Sequence, residues 1–126
     1  MAYYLVQLSY TAESWASQLA DPQDRRDVVR PLFDQLGGRI EAAYYAFGPH
    51  DVVLVAELPG TRSAAALSLA LTLRSAGAVT AIQTTPLLPI EEGIAAMRQA
   101  AAVRSAYQPP LAEVLAAQWA AFEEGP

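Results

Sequence analysis

The chain contains no cysteine. Disulfides, thiolate nucleophiles and cysteine-based metal sites are therefore excluded. Lysine is absent too, so all eight basic residues are arginines. Only Arg25 and Arg26 are adjacent, and no basic stripe is available to a phosphate backbone. Nucleic acid is not an expected partner. The lack of lysine beside abundant alanine and arginine points to a GC-rich bacterial genome. Histidine occurs once, at His50, and no spaced carboxylate motif accompanies it, so no metal is expected. A glycine-rich phosphate loop is also missing. Gly37-Gly38 follows a helical pattern, the wrong context for a dinucleotide fingerprint, and no cofactor is expected. Long apolar runs are lacking as well. The longest, residues 64–73, carries Ser68 and Thr72 and is too short to span a bilayer. The first residues, Met1-Ala2-Tyr3-Tyr4-Leu5-Val6-Gln7, have neither a basic start nor a long apolar core. No signal peptide and no membrane association are expected, and the expected location is cytoplasmic.

Charged residues make up 17% of the chain and hydrophobic ones 53%, against a usual quarter and a usual 45–50%. At 126 residues there is room for one core. A small domain so poor in charge hides more than one face, which predicts a homo-oligomer, a dimer or higher. The net charge is −5.

Residues 3–10 are rich in Tyr, Leu and Val and read as a first strand. Thr11-Ala12-Glu13-Ser14 opens a short helical turn carrying Trp15. Asp21-Pro22 reads as a helix start, Asp as cap and Pro in the first turn. Val28, Val29, Leu32, Phe33 and Leu36 share one face at 3.6 spacing, Pro31 is expected to kink the helix or delay its start, and Gly37-Gly38 ends it. Residues 39–47 form a second strand, Gly48-Pro49-His50 a tight turn and residues 51–58 a third strand. Pro59-Gly60-Thr61 breaks the chain with a capping Thr before a helix over 63–76. A fourth strand follows over 79–85 and a third helix from Pro89, with Glu91 and Glu92 suited to its N-terminus. Tyr107-Gln108-Pro109-Pro110 then breaks the chain, and residues 111–124 read as a last helix with Leu111, Leu115, Trp119 and Phe122 near one face.

The order β-α-β-β-α-β followed by helices is the split βαβ of ferredoxin-like α+β folds, with a four-stranded antiparallel sheet. Residues 1–103 form the domain and 104–126 a C-terminal helical extension. The run Tyr44-Tyr45-Ala46-Phe47-Gly48-Pro49-His50-Asp51-Val52-Val53-Leu54 resembles the defining stretch of the GYD-domain family. Leu36-Gly37-Gly38, Ala76-Gly77-Ala78-Val79 and Thr84-Thr85-Pro86-Leu87-Leu88 resemble it too. The resemblance covers roughly residues 3–101. It implies a dimeric α/β barrel and no settled activity. Gly48 and Asp51 match the name-giving motif, whereas His50 stands where the family usually has Tyr, so the role of that hydroxyl is not carried over. The turn and strand from Gly48 to Leu54 are also similar to the effector domain of the leucine-responsive regulators, where a comparable turn helps bind amino acids at subunit interfaces. The DNA-binding helix-turn-helix of those regulators is missing here.

Strand alternation puts Tyr4, Val6 and Leu8 on one face and Leu5, Gln7 and Ser9 on the other. The third strand is apolar on both faces, with Val52, Leu54 and Ala56 against Val53 and Val55. One face packs on helices, and a second subunit's sheet would cover the other.

His50 is the natural acid or base by residue type, or else a plain turn residue beside a backbone-bonding Asp51. Gln7, Ser9, Arg39, Glu41, Tyr45, Glu57, Gln83 and Thr85 could share the second face. If that face lines a barrel, Arg39, Tyr45 and Glu57 become pocket groups, and a buried Glu57 would have a raised pKa and could act as a base. Otherwise they meet solvent or form ion pairs. Tyr10, Trp15, Tyr44 and Tyr45 suit either a cleft for a planar ligand or ordinary core packing. The candidate catalytic residues are thus His50 and Glu57, and the candidate ligand-binding residues are Tyr10, Trp15, Arg39, Tyr45 and Asp51. Two functions fit this inventory. One is a small-molecule-binding or sensing dimer for an apolar or aromatic ligand. The other is a cofactor-independent enzyme of monooxygenase, isomerase or cyclase type working through His50 or Glu57. Gly48 is expected to need a backbone conformation closed to bulky residues. The last helix is expected to dock on a partner subunit or over a cleft mouth, the alternative being its own helices.

Overall fold

A computed structural model of the chain describes residues 1–60, 64–110 and 113–123. Thr61, Ser63, Leu111, Glu124 and the side chain of Leu115, all named above, lie outside the described residues. The chain divides into two units, Met1–Leu88 and Pro89–Pro126.

The first unit holds β1 (Ala2–Tyr10), α1 (Ala12–Ala20), α2 (Arg25–Leu36), β2 (Arg39–Tyr45), β3 (Val52–Leu58), α3 (Ala64–Ser75) and β4 (Val79–Leu87). The four strands form one sheet in the order β2-β3-β1-β4, with every neighbouring pair antiparallel. This is the α+β, ferredoxin-like arrangement expected from the element order.

Alternation along β1 and β3 builds the core. Tyr4, Val6, Leu54, Ala56 and Leu58 are buried with Phe33 of α2 and with Ala66 and Leu69 of α3. Both helices therefore cover one face of the sheet. The second face carries Leu5, which pairs with Val55 of β3 and Thr85 of β4. Gln7 pairs with Val53 on one side and Gln83 on the other.

Two helices differ from the expected outlines. The turn at Trp15 is a nine-residue helix, capped by the Thr11 hydroxyl, which accepts from the Ser14 N–H at 3.0 Å. The next helix starts at Asp24, not Asp21-Pro22, because the Asp24 carboxylate accepts the Arg26 N–H at 3.0 Å. Pro31 sits inside α2 without ending it. Its missing N–H forfeits one bond, but Phe33 two residues on is 2% exposed, so core docking holds the later turns. Gly37, at φ +77°, closes the helix in the left-handed region. The Gly37 N–H donates to Asp34 O at 3.1 Å and the Gly38 N–H to Phe33 O at 2.9 Å, a Schellman pair.

Two expectations about β2 and its turn are corrected. A bulge between Ile40 and Ala42 shifts the register, so Arg39 faces Glu57 while Tyr45 faces Val52 and Tyr44 faces Val53. Tyr45 therefore leaves the second face and joins the helix side. Gly48 does not have positive φ, and a Cβ built there would meet nothing within 4 Å. The crowded glycine is Gly38, whose Cβ would run into the Glu57 carbonyl and lie 2.6 Å from Leu58 Cδ2.

The second unit holds α4 (Ile90–Val103), a 3₁₀ turn (Arg104–Ala106) and α5 (Glu113–Glu123). The Arg104 guanidinium carbon lies 4.7 Å from the Phe122 ring centre and 5.8 Å from that of Trp119. Within this unit, the last helix thus turns its two aromatic side chains to the end of the preceding one. No helix among the described residues is long and apolar enough to cross a membrane.

Candidate functional site

Asp51 organises the end of the sheet where β1 leaves and β3 begins. Its N–H donates to Leu8 O and its carbonyl accepts from the Ala46 N–H, both at 2.8 Å, which fixes the residue against β1 and closes the loop from β2. Its carboxylate Oδ2 accepts two bonds, from the Tyr10 N–H at 2.8 Å and from Trp15 Nε1–H at 3.3 Å. One carboxylate so ties the start of β3 to the end of β1 and to α1.

The ring of Trp15, held this way, meets Tyr10 edge-on at 5.1 Å between centroids. Tyr45, brought over by the bulge in β2, lies 6.4 Å from Trp15 at a tilt of 37°. Such separations are typical of stabilising aromatic pairs. Beside the group opens a cavity of about 330 Å³, walled by Tyr10, Gln23, Arg25, Ala43, Tyr45 and Val52. That volume lies at the small end of the range of ligand sites. A second hollow of about 470 Å³ is lined by Trp15, Tyr45, Phe47, Gly48 and Asp51.

Burial pushes the Tyr10 phenol above its ordinary pKa, and the Arg25 guanidinium at its hydroxyl pulls it part of the way back. Tyr10 is therefore a neutral phenol near neutrality, with a hydrogen to donate.

Of the five residues expected to bind a ligand, Tyr10, Trp15, Tyr45 and Asp51 come together here. Arg39 does not. Its Nε–H donates to Glu57 Oε2 at 2.8 Å, Glu41 Oε1 pairs with the same nitrogen at 2.8 Å, and Arg39 borders another hollow of about 440 Å³. Glu57 is 9% exposed, yet its pKa is not raised as burial alone would have it. The hydrogen bond from Arg39 holds the carboxyl below the usual carboxylate range. Glu57 is thus an ionised ion-pair partner.

His50 lies in the loop before β3, with Nδ1 3.4 Å from Ser9 Oγ. The same hydroxyl donates to Pro49 O at 3.1 Å. His50 and Glu57 sit at opposite ends of β3, separated by about 20 Å of extended chain. The structure does not bring the two candidate catalytic groups to one site. Among the described residues, no three His, Asp or Glu side chains converge as metal ligands would.

Sequence reasoning missed Gln23, just before the cap of α2, and Arg25, in its first turn, which both line the cavity. The available signal was the Arg25-Arg26 pair directly after a capping Asp, which puts both side chains at a helix start.

The family model of the GYD domain matches residues 4–97, about three quarters of the chain. The chain belongs to the GYD-domain family. No curated protein matches it in a sequence comparison.

Proposed function

We propose that this GYD-domain protein is a binding module that holds a small planar organic molecule in the cavity beside Tyr10 and Tyr45, and that it acts as a homodimer. The observation that carries the reading is the pair of hydrogen bonds that Asp51 Oδ2 accepts from Tyr10 N–H and Trp15 Nε1–H. It fixes the aromatic group ahead of any ligand, and a preorganised wall lowers the entropy cost of binding. Tyr10 and Tyr45 then offer ring surface, while Arg25, Gln23 and the phenol hydroxyl offer a few convergent polar groups. This mixture is what small-molecule sites have in common. The dimer is supported by the second sheet face, where Leu5, Val53, Val55 and Ala42 lie together and α2 and α3 cover only the other side.

Native mass spectrometry of freshly purified protein tests both parts. The expected result is a dimer carrying a co-purified small molecule that Tyr45→Ala loses. A bare monomer, with Trp15 fluorescence indifferent to added aromatic compounds, would remove the reading.

A further inference from the structure

The cavity beside Tyr10 has two arginines on its lining, and they differ in one respect. Arg26 is neutralised. Its Nη2 lies 2.7 Å from Asp24 Oδ2 and its Nε 3.0 and 3.2 Å from the two carboxylate oxygens, a forked pair. Arg25 stands next to it in sequence and is half-buried, yet no ion pair forms at it among the described residues. Its guanidinium meets the Tyr10 hydroxyl, a neutral group. The other nearby carboxylate, Asp51, is not on the cavity lining, and its Oδ2 is engaged by Tyr10 N–H and Trp15 Nε1–H. The cavity therefore holds one uncompensated positive charge. That charge is drawn partly out of water beside two phenol rings, where an opposite charge on a ligand is most effective.

Resting on the binding reading above, we infer that the cavity selects a planar aromatic carboxylate, with the carboxylate on Arg25 and the ring against Tyr10 and Tyr45. A guanidinium is a flat fork of donors that matches a carboxylate with two parallel bonds. The Tyr10 hydroxyl lies where it can add a third bond to one carboxylate oxygen. A volume of about 330 Å³ has room for a substituted aromatic ring. Asp24 on the rim disfavours ligands of higher negative charge, while its pairing with Arg26 leaves Arg25 free for a monoanion.

The test uses benzoate and its uncharged isostere benzamide on protein carrying Trp119→Phe, so that Trp15 alone reports. Benzoate is expected to change Trp15 emission and to bind about tenfold or more tightly than benzamide, the margin of a charge-assisted bond. Arg25→Gln is expected to erase that margin, and Arg30→Gln, at an arginine outside the cavity lining, to leave it in place. Arg25→Lys retains the charge without the fork and is expected to keep a reduced preference, which reads the same point should Arg25→Gln fold poorly. Equal binding of benzoate and benzamide, or a preference for benzoate that survives Arg25→Gln, overturns the inference and leaves the binding module standing. Silence of Trp15 to both probes, with bare protein in the native mass spectrum, overturns the binding reading itself.

Discussion

Asp51 Oδ2 lies 3.3 Å from Trp15 Nε1, so the first residue before β3 holds the indole of α1 by its one polar atom. The same oxygen takes the N–H of Tyr10, the last residue of β1, at 2.8 Å. An aspartate conspicuous in sequence as part of a turn motif is in effect the fastener between two strands and a helix.

Asp51→Ala should therefore cost more than an ordinary loop substitution. It strands two partly buried donors, each worth about 1–3 kcal/mol when left unsatisfied. A fall in melting temperature of several degrees is expected, with a weakened near-ultraviolet circular dichroism signal from Trp15. Asp51→Asn keeps one acceptor and should fall between the two. A melting curve for Asp51→Ala that overlays the wild type would show that the two bonds do not hold the site.

Much of this was legible in the amino acids. Alternation along β1 and β3 placed Tyr4, Val6, Leu54 and Ala56 together on the core face, because a two-residue period is the physics of the strand itself. Tyr10, Trp15, Tyr45 and Asp51 can be named from the sequence, but Arg39 is named with them and the fold sets it apart, with Glu41 and Glu57. The face of Tyr45 cannot be read there. A bulge adds one residue without leaving a mark in composition, and everything after Glu41 reverses sides. Helix α2 illustrates a local ambiguity. Asp21 and Asp24 are both cap residues by type, and the helix takes Asp24, whose carboxylate receives the Arg26 N–H. Arg25 stands out in sequence only as half of a basic pair after an Asp, whereas its lack of a carboxylate partner is a property of neighbours in space.

The two glycines conspicuous in sequence trade places in importance. Gly38→Ala forces a methyl group into the Glu57 carbonyl and Leu58, where β3 cannot retreat without breaking its pairing with β1. The expected cost is about 1–3 kcal/mol, as for other overpacked positions. Gly48→Ala meets open space and should stay within about 0.5 kcal/mol of wild type. Urea denaturation of the two variants side by side decides the matter, and equal midpoints would contradict the geometry.

Glu57 and Arg39 set a pH dependence with a definite sign. The folded-state pKa of Glu57 is depressed, first by the hydrogen bond from Arg39. A depressed carboxylate adds stability above its unfolded pKa, and that stability is lost as pH falls through the folded value. The protein should thus weaken on acidification below about pH 4.5, near the unfolded value for Glu. Asp24, held down to about 2 by Arg26, adds to the same limb from the surface, where solvent screens it. In Arg39→Gln the acid limb should be shallower, since Glu57 then titrates closer to its ordinary range. Denaturation midpoints measured from pH 7 to pH 3 give the slope directly, and identical slopes for wild type and Arg39→Gln would dismiss the pair as a determinant.

The proposed dimer makes its clearest demand at Val55. In the sheet this residue stands between Leu5 of β1 and Ala42 of β2, at the centre of the face that α2 and α3 leave to one side. An arginine there puts a charge into the middle of an apolar contact, and in a two-fold dimer the same substitution occurs on both sides, so like charges approach each other as well. Within one chain the long side chain can reach solvent from an open face, so folding itself should survive. Val55→Arg is expected to leave far-ultraviolet circular dichroism unchanged and to convert a dimer into a monomer by light scattering at micromolar concentration. Val55→Ile, which keeps the surface apolar, should remain dimeric. A wild-type protein that scatters as a monomer at that concentration, or a Val55→Arg protein that remains a folded dimer, would mean that this face is not where two copies meet.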